Sequence, residues 1–235
     1  VEEDTYVSVT KGGYIKRTSP RSYNASTVEE VGKRDDDELI FVAPAKTTQQ
    51  LLIFTNLGNV IYRPVHELTD IRWKDIGEHL SQTITNFAAN EVVLHAEIVD
   101  DFGTQTYFAA TKMGQIKRFE RKELTPWRTY KSKAIKFAKL KSEEDQVIAI
   151  SPIALDNVML LTQNGYALRF NIEEVPVVGP KAAGVKAINL KDDDVVVSVF
   201  IANTDSVFIL TQRGSVKRME TDVIPLTNRA NRGLL

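Results

Sequence analysis

Five times along the chain an apolar run ends in Thr, two further residues and a Gly, and a shorter run that follows ends in Arg. The copies are Tyr6 to Arg17 (YVSVTKGGYIKR), Leu51 to Arg63 (LLIFTNLGNVIYR), Tyr107 to Arg118 (YFAATKMGQIKR), Val158 to Arg169 (VMLLTQNGYALR) and Val207 to Arg218 (VFILTQRGSVKR). The turn glycines Gly13, Gly58, Gly114, Gly165 and Gly214 stand 45, 56, 51 and 49 residues apart, a period that belongs to propeller blades rather than to helical solenoids. The chain therefore reads as one repeat domain of similar β units arranged in a ring or stack. Their boundaries fall near 1–38, 39–90, 91–143, 144–191 and 192–235.

Each copy reads as a β-hairpin. Leu51 to Phe54, Val158 to Leu161 and Val207 to Leu210 are unbroken apolar runs, as expected of strands covered on both faces. The strand after the turn alternates, so that Ile116 and Arg118 share one face and Lys117 and Phe119 the other, and one face is expected to carry cations to water. The intervening Gly supplies the positive φ of a tight turn. A third apolar segment precedes each later hairpin (Leu39 to Val42, Val92 to Val99, Val147 to Ile150, Val195 to Ile201) and is assigned to it. Connections of about 20 residues follow the hairpins and lead through a small residue into a β-like run, as in Ala183-Gly184-Val185-Lys186 and Arg232-Gly233-Leu234. Such a connection is expected to cross to the neighbouring blade as its outer, fourth strand, leaving a broken edge wherever the ring does not close.

Net charge is −1, from 30 Lys and Arg against 31 Asp and Glu, which by itself argues against a nucleic-acid binder. The charges are nevertheless sorted. Acids recur at Asp35-Asp36-Asp37-Glu38, Glu91, Glu143-Glu144-Asp145 and Asp192-Asp193-Asp194, ahead of the later hairpins. Bases follow the turns (Lys16, Arg17, Arg63, Lys117, Arg118, Arg169, Lys217, Arg218) and extend into the connections (Arg21, Arg121, Lys122, Arg128, Lys131, Lys133, Lys136, Lys181, Lys186, Arg229, Arg232). The expectation is a basic band on the outer rim of a nearly neutral molecule, suited to a polyanion. A protein-docking scaffold is the rival reading, favoured if acids or an apolar patch interrupt that band.

Catalytic and cofactor chemistry finds little support. The segment Gly179-Pro180-Lys181-Ala182-Ala183-Gly184-Val185-Lys186 has the look of a phosphate loop, but Val185 stands where the Lys belongs and neither Ser nor Thr follows Lys186. His66, His79 and His95 lack metal-ligand spacing, there is no Gly-x-Ser-x-Gly elbow, and no catalytic residue or cofactor is expected in this chain. Tyr23 and Tyr130, each two residues after an Arg, and Trp73 and Trp127, in equivalent connections, are expected to pack. Zero Cys fits a reducing cytoplasm, no apolar stretch suffices for a membrane span, and the start at Val and end at Leu235 read as a fragment of a longer chain, with a sixth blade left open.

Three segments, Tyr14-Ile15-Lys16-Arg17-Thr18-Ser19, Ile71-Arg72-Trp73-Lys74-Asp75-Ile76-Gly77-Glu78 and Asn164-Gly165-Tyr166-Ala167-Leu168-Arg169-Phe170, resemble the C-terminal domain of the A subunit of bacterial topoisomerase IV. The corresponding domain of DNA gyrase is a more distant likeness. The resemblance implies a β-pinwheel, a propeller-like ring of four-stranded blades with strands exchanged between them and an opening between first and last. It further implies a non-catalytic domain that binds and bends duplex DNA on its rim and presents the transported segment for decatenation and relaxation. The strand-cutting Tyr would lie in a catalytic core elsewhere in the parent chain. ATP on a partner B subunit, Mg, a heterotetramer and a cytoplasmic, chromosome-associated location are implied in the same way. The basic Gly-rich box of gyrase is not intact here; its nearest segments are Arg229-Ala230-Asn231-Arg232-Gly233 and Lys181-Ala182-Ala183-Gly184, which points away from gyrase-like wrapping.

Overall fold

The Thr-x-x-Gly repeat closes a turn, and the hydrogen bonds show why both residue types are needed. In a computed structural model that describes residues 1–153, 156–202, 206–210 and 216–235, the hairpin 206–219 as backbone alone, the hydroxyls of Thr10, Thr111 and Thr162 accept the backbone N–H four residues on, at 3.0, 3.1 and 3.0 Å. Gly13, Gly58, Gly114 and Gly165 donate back to the Thr carbonyls at φ of 100, 80, 90 and 94°, where a Cβ would be strained. Gly214 lies outside the described residues.

The recurrent acids complete the same turns. Asp37, Asp145 and Asp194 accept the N–H of Gly12, Met113 and Asn164 at 2.8, 2.9 and 2.9 Å. The second turn solves the problem differently, with the Asn56 side chain accepting from Val92 N–H at 2.8 Å and the buried Glu91 accepting from the Thr55 hydroxyl at 2.5 Å. Asp145 and Asp194 are themselves buried, which a carboxylate tolerates only when hydrogen-bonded. One acid of each cluster is thus a structural ligand rather than a solvated charge.

The strands in chain order are β1 (Asp4–Thr10), β2 (Tyr14–Thr18), β3 (Leu39–Lys46), β4 (Gln50–Thr55), β5 (Asn59–Pro64), β6 (Glu78–His79), β7 (Val93–Val99), β8 (Thr106–Thr111) and β9 (Gln115–Glu120). They continue as β10 (Ile135–Lys136), β11 (Val147–Pro152), β12 (Asn157–Thr162), β13 (Ala167–Asn171), β14 (Val185–Lys186), β15 (Val196–Ile201), β16 (Ser206–Leu210), β17 (Val216–Glu220) and β18 (Leu226–Thr227). The sheet orders are β3-β1-β2-β6, β7-β4-β5-β10, β11-β8-β9-β14 and β15-β12-β13-β18, with β16-β17 as a fifth hairpin. The expectation of an all-β fold built from four-stranded blades is met.

Strand pairing corrects one assignment. The segments that open at Leu39, Val93, Val147 and Val196 pair with the hairpin before them, not the one after, so each sheet extends past the sequence-derived boundary. In all four sheets this third strand shifts register where it reaches the turn Thr, opposite Thr10, Thr55, Thr111 and Thr162. Such a repeated bulge sharpens the local twist.

Fourth strands come from the connection after the following hairpin, so blades do exchange strands. β6 pairs with Tyr14 and Ile15 of β2, β10 with Val60 and Asn59 of β5, and β14 with Ile116 and Gln115 of β9. A Cβ at Gly77 or Gly184 would stand 2.4 or 2.3 Å from the carbonyl oxygen of Ile15 or Ile116. Hence the glycine ahead of β6 and of β14 is a requirement of close backbone approach.

By their contacts the described residues fall into two compact units, Val1–Gln105 with Arg121–Lys139, and Thr106–Glu120 with Leu140–Leu235. The first unit buries Val7, Leu51, Ile53, Ile61 and Leu80 in its core, and the second buries Phe108, Ile116, Val158, Leu160 and Phe170. Among the described residues no helix is long and apolar enough to cross a membrane.

Candidate nucleic-acid interface

The second strand of each hairpin decides what its cations can touch. Counting from the turn Thr, position six is Lys16 in the first repeat and Lys117 in the third, and position seven is Arg17, Arg118 and Arg169 in the first, third and fourth. Successive residues point to opposite faces, and the structure buries position six. Lys16 is 2 % exposed and Lys117 1 %, so neither meets solvent as the sequence leads one to expect.

Both lysines are instead wrapped by carbonyls of a connection. Lys16 Nζ donates to Trp73 O at 2.6 Å and Asp75 O at 2.5 Å, with Arg72 O at 3.4 Å, and lies 5.0 Å above the Trp73 ring. Lys117 Nζ donates to Gly179 O at 2.8 Å and Ala182 O at 2.9 Å, with Pro180 O at 3.4 Å. Burial pushes each amine down to about 8, with Asp75 pulling Lys16 the other way. At neutral pH both ammonium groups are charged, and their donors are committed inward. The glycine-rich segment 179–186 therefore aims carbonyl oxygens at a cation, the opposite polarity from a phosphate cradle.

Arg63 is a second correction. It stands one residue later than the other arginines, at position eight, and a one-residue step along a strand reverses the side chain's face. Arg63 is 6 % exposed, and its guanidinium donates to the carbonyls of Tyr62 (2.8 Å), Tyr130 (3.0 Å) and Lys131 (3.0 Å) and to the Thr83 hydroxyl (2.7 Å). Burial lowers its pKa, against the pull of Glu78 and Glu67. Position seven is held there by Tyr62, half-buried like Arg17, Arg118 and Arg169.

Arg17 and Arg118, at position seven, are braces with a partly open face. Arg17 Nε donates to Leu68 O at 3.2 Å and its head stands 3.7 Å from Asp70, while Arg118 Nε donates to Val175 O at 2.6 Å. Arg169 Nε is buried with no partner among the described residues. Arg229 is similarly engaged, with Glu174 O at 3.1 Å and Lys186 O at 2.6 Å. Arg121 lies 3.6 Å from Glu97.

The exposed members of the expected band are Arg21, Lys122, Arg128, Lys131, Lys133, Lys136, Lys181, Lys186 and Arg232. Lys131 stands 3.5 Å from Glu67 and Arg232 3.8 Å from Asp192. The side chains of Lys217 and Arg218 lie outside the described residues. Lys11, Lys112 and Lys139 are also exposed, although their place in the repeat does not single them out; a count of bases per segment, rather than their place after the turns, picks out Lys139.

Aromatic residues divide. Tyr23 stacks on Tyr6 with centroids 3.9 Å apart, and Tyr130 packs edge-on against Tyr62 while its hydroxyl donates to Glu67 at 2.8 Å. Burial, with Glu67 adding to it, raises the Tyr130 phenol to about 12. Trp73 is fully buried and donates to Thr27 O at 3.0 Å, whereas Trp127 is 68 % exposed, contrary to the packing role expected of it. No group of His, Asp or Glu among the described residues is arranged to hold a metal ion.

Comparison with known proteins bears out the resemblance carried by Tyr14 to Ser19, Ile71 to Glu78 and Asn164 to Phe170. A family model described as DNA gyrase C-terminal domain, beta-propeller, matches residues 4–27, 49–100, 156–203 and 205–234. The A subunit of DNA topoisomerase 4 from Streptococcus pneumoniae serotype 4 is 74 % identical over 195 residues, covering 83 % of this chain and 24 % of that protein. Its counterpart of the same name from Streptococcus pyogenes serotype M3 is 65 % identical over 234 residues, covering 100 % and 29 %. The chain thus spans about a quarter of the length of these curated relatives. A crystal structure of the C-terminal domain of DNA topoisomerase IV is similar at TM-score 0.91 and 40 % identity, covering 100 % of this chain and 73 % of that one. A likeness of fold alone extends to the E. coli ParC C-terminal domain, at TM-score 0.78 and 17 % identity over 99 % of this chain and 94 % of that one.

Proposed function

This chain belongs to the DNA gyrase C-terminal domain family, and on that premise we propose that it is the duplex-binding, DNA-bending domain of a type IIA topoisomerase, of the topoisomerase IV kind. The observation that carries the reading is the 65 % identity to the A subunit of DNA topoisomerase 4 along the whole chain. The exposed bases of the connections, Arg21, Lys122, Arg128, Lys131, Lys133, Lys136, Lys181, Lys186 and Arg232, support it by offering phosphate contacts. Arg17, Arg118, Arg121, Arg169 and Arg229 contribute through their half-exposed faces, and Lys217 and Arg218 join the set on sequence grounds. Lys16, Lys117 and Arg63 leave it.

Such contacts neutralise backbone charge and release counterions without reading bases. Bending a site of 20 to 30 base pairs costs about 1 to 6 kcal/mol, which contacts from successive blades offset. In the parent protein the domain would deliver a duplex to a catalytic core of the same chain for decatenation and relaxation. The B subunit with ATP, and Mg at the cleavage site, belong to that larger assembly, in the cytoplasm on the chromosome.

Titrating the 235-residue chain with fluorescent linear duplex over a range of salt tests the reading. The logarithm of affinity should fall linearly with the logarithm of salt, with a slope of about 0.9 per phosphate contacted, and unrelated duplex sequences should bind alike. A salt-independent affinity, or none, would remove the proposal.

A further inference from the structure

The connections differ sharply in charge. Residues 121–139 hold seven Lys and Arg against the single acid Glu123, whereas residues 65–86 hold two bases and four acids, 172–190 two of each, and 221–235 two bases and one acid. The excess sits in one segment, not in an even band. Within it Arg128, Lys133, Lys136 and Lys139 are exposed, and so is Trp127 at 68 %. The chain's other Trp, Trp73, is fully buried.

The turn that presents these groups is held from inside. Buried Arg63 donates to the carbonyls of Tyr130 and Lys131, both at 3.0 Å. The Tyr130 hydroxyl is fastened to Glu67 at 2.8 Å, Tyr130 N–H donates to Trp127 O at 3.0 Å, and Lys133 N–H donates to Thr129 O at 3.0 Å. With carbonyls turned inward and side chains outward, little ordering remains for a ligand to impose. An exposed indole among cations matches the combination that grips nucleic acid by phosphate attraction and by apolar contact with sugars and bases.

We propose that residues 121–139 form the principal duplex-DNA contact of this domain, with Arg128, Lys133 and Lys136 on phosphates and Trp127 against the sugar and base edges. Arg63 is the positioning residue that shapes the turn. This inference rests on the duplex-binding reading above and adds where the duplex is held and by what chemistry.

Two kinds of variant of the 235-residue chain test it, each first shown by its thermal melt to be folded. Arg128→Ala/Lys133→Ala/Lys136→Ala should weaken binding more than about tenfold at low salt and lower the salt slope by about 2 to 3. The exposed pair Lys181→Ala/Lys186→Ala should cost less than about threefold. Trp127→Ala should weaken binding on the order of tenfold at every salt concentration with its slope unchanged, because stacking and apolar contact release no counterions. Duplex should quench the tryptophan emission of the unaltered chain and leave that of Trp127→Phe unchanged. A triple variant that binds as well as the unaltered chain, or equal losses from the two clusters, would overturn the placement. Unchanged emission together with unchanged Trp127→Ala affinity would overturn the indole contact. Failure of the unaltered chain to bind duplex at all would overturn the duplex-binding reading as well, and is a separate result.

Discussion

The second hairpin and the third perform one task with different residues. Each holds a connection against its second strand by burying a cation among that connection's carbonyls, yet the third uses Lys117 at position six and the second uses Arg63 at position eight. At position six the second hairpin carries Ile61, which is fully buried. Two positions on one strand share a face, so either can serve provided that the head group suits its acceptors. A compact ammonium satisfies the two close carbonyls at Gly179 and Ala182, whereas the planar fork of Arg63 spans four acceptors. A basic residue that recurs after every turn is therefore no guide to where positive charge meets water.

The largest break in that comparison is expected at Arg63. Arg63→Ala leaves the carbonyls of Tyr130 and Lys131 without their donor, and a loss of about 3 kcal/mol in urea unfolding is expected; Arg63→Lys should recover less than half, since an ammonium cannot reach all four acceptors. Equal stability of the Lys and Arg forms would mean that charge alone, not the fork, holds the turn.

A smaller effect is expected at Lys117. Lys117→Met keeps the buried stem and removes the donor, and should cost about 2 kcal/mol while leaving the salt slope of duplex binding unchanged in the folded variant. A reduced slope would return Lys117 to the interface.

The last test of the comparison is the pH dependence. Lys16 and Lys117 are held near 8 when folded against 10.5 otherwise. Between about pH 8 and 9.5 the unfolded chain binds more protons at these sites, so their contribution makes unfolding free energy rise with pH. Above that window the raised Tyr130 phenol works the other way, because the folded state keeps its proton longer. Urea midpoints compared at about pH 7.5 and 9.5 should rise for the unaltered chain relative to Lys16→Met/Lys117→Met. Parallel profiles for the two proteins would show that the amines are not displaced.

Much of the blade is legible from residues because its causes are local. A turn Thr, a Gly at positive φ and an apolar run of strand length specify a hairpin within a dozen residues, and periodicity places that hairpin in a propeller class. The acids are recognisable by their constant spacing, but their work, closing the turn at Gly12, Met113 and Asn164, requires the fold. The pairing of Leu39–Lys46 and its counterparts is misread from sequence because an apolar strand fits equally well beside either neighbouring hairpin, and only register and bulge decide. Alternation separates Lys117 from Arg118 correctly, yet carries no information about which face a distant connection covers.

Chain sequence thus determined the repeat, the turns and the charge carried by each connection, since these follow from local backbone chemistry and composition. Which cations face water was decided by tertiary structure, when residues 72–75 and 179–182 laid their carbonyls over Lys16 and Lys117 and the turn at Tyr130 closed over Arg63. The physical reason is that a charge can be buried only where enough polar atoms converge on it, and here those atoms arrive from more than 50 residues away along the chain.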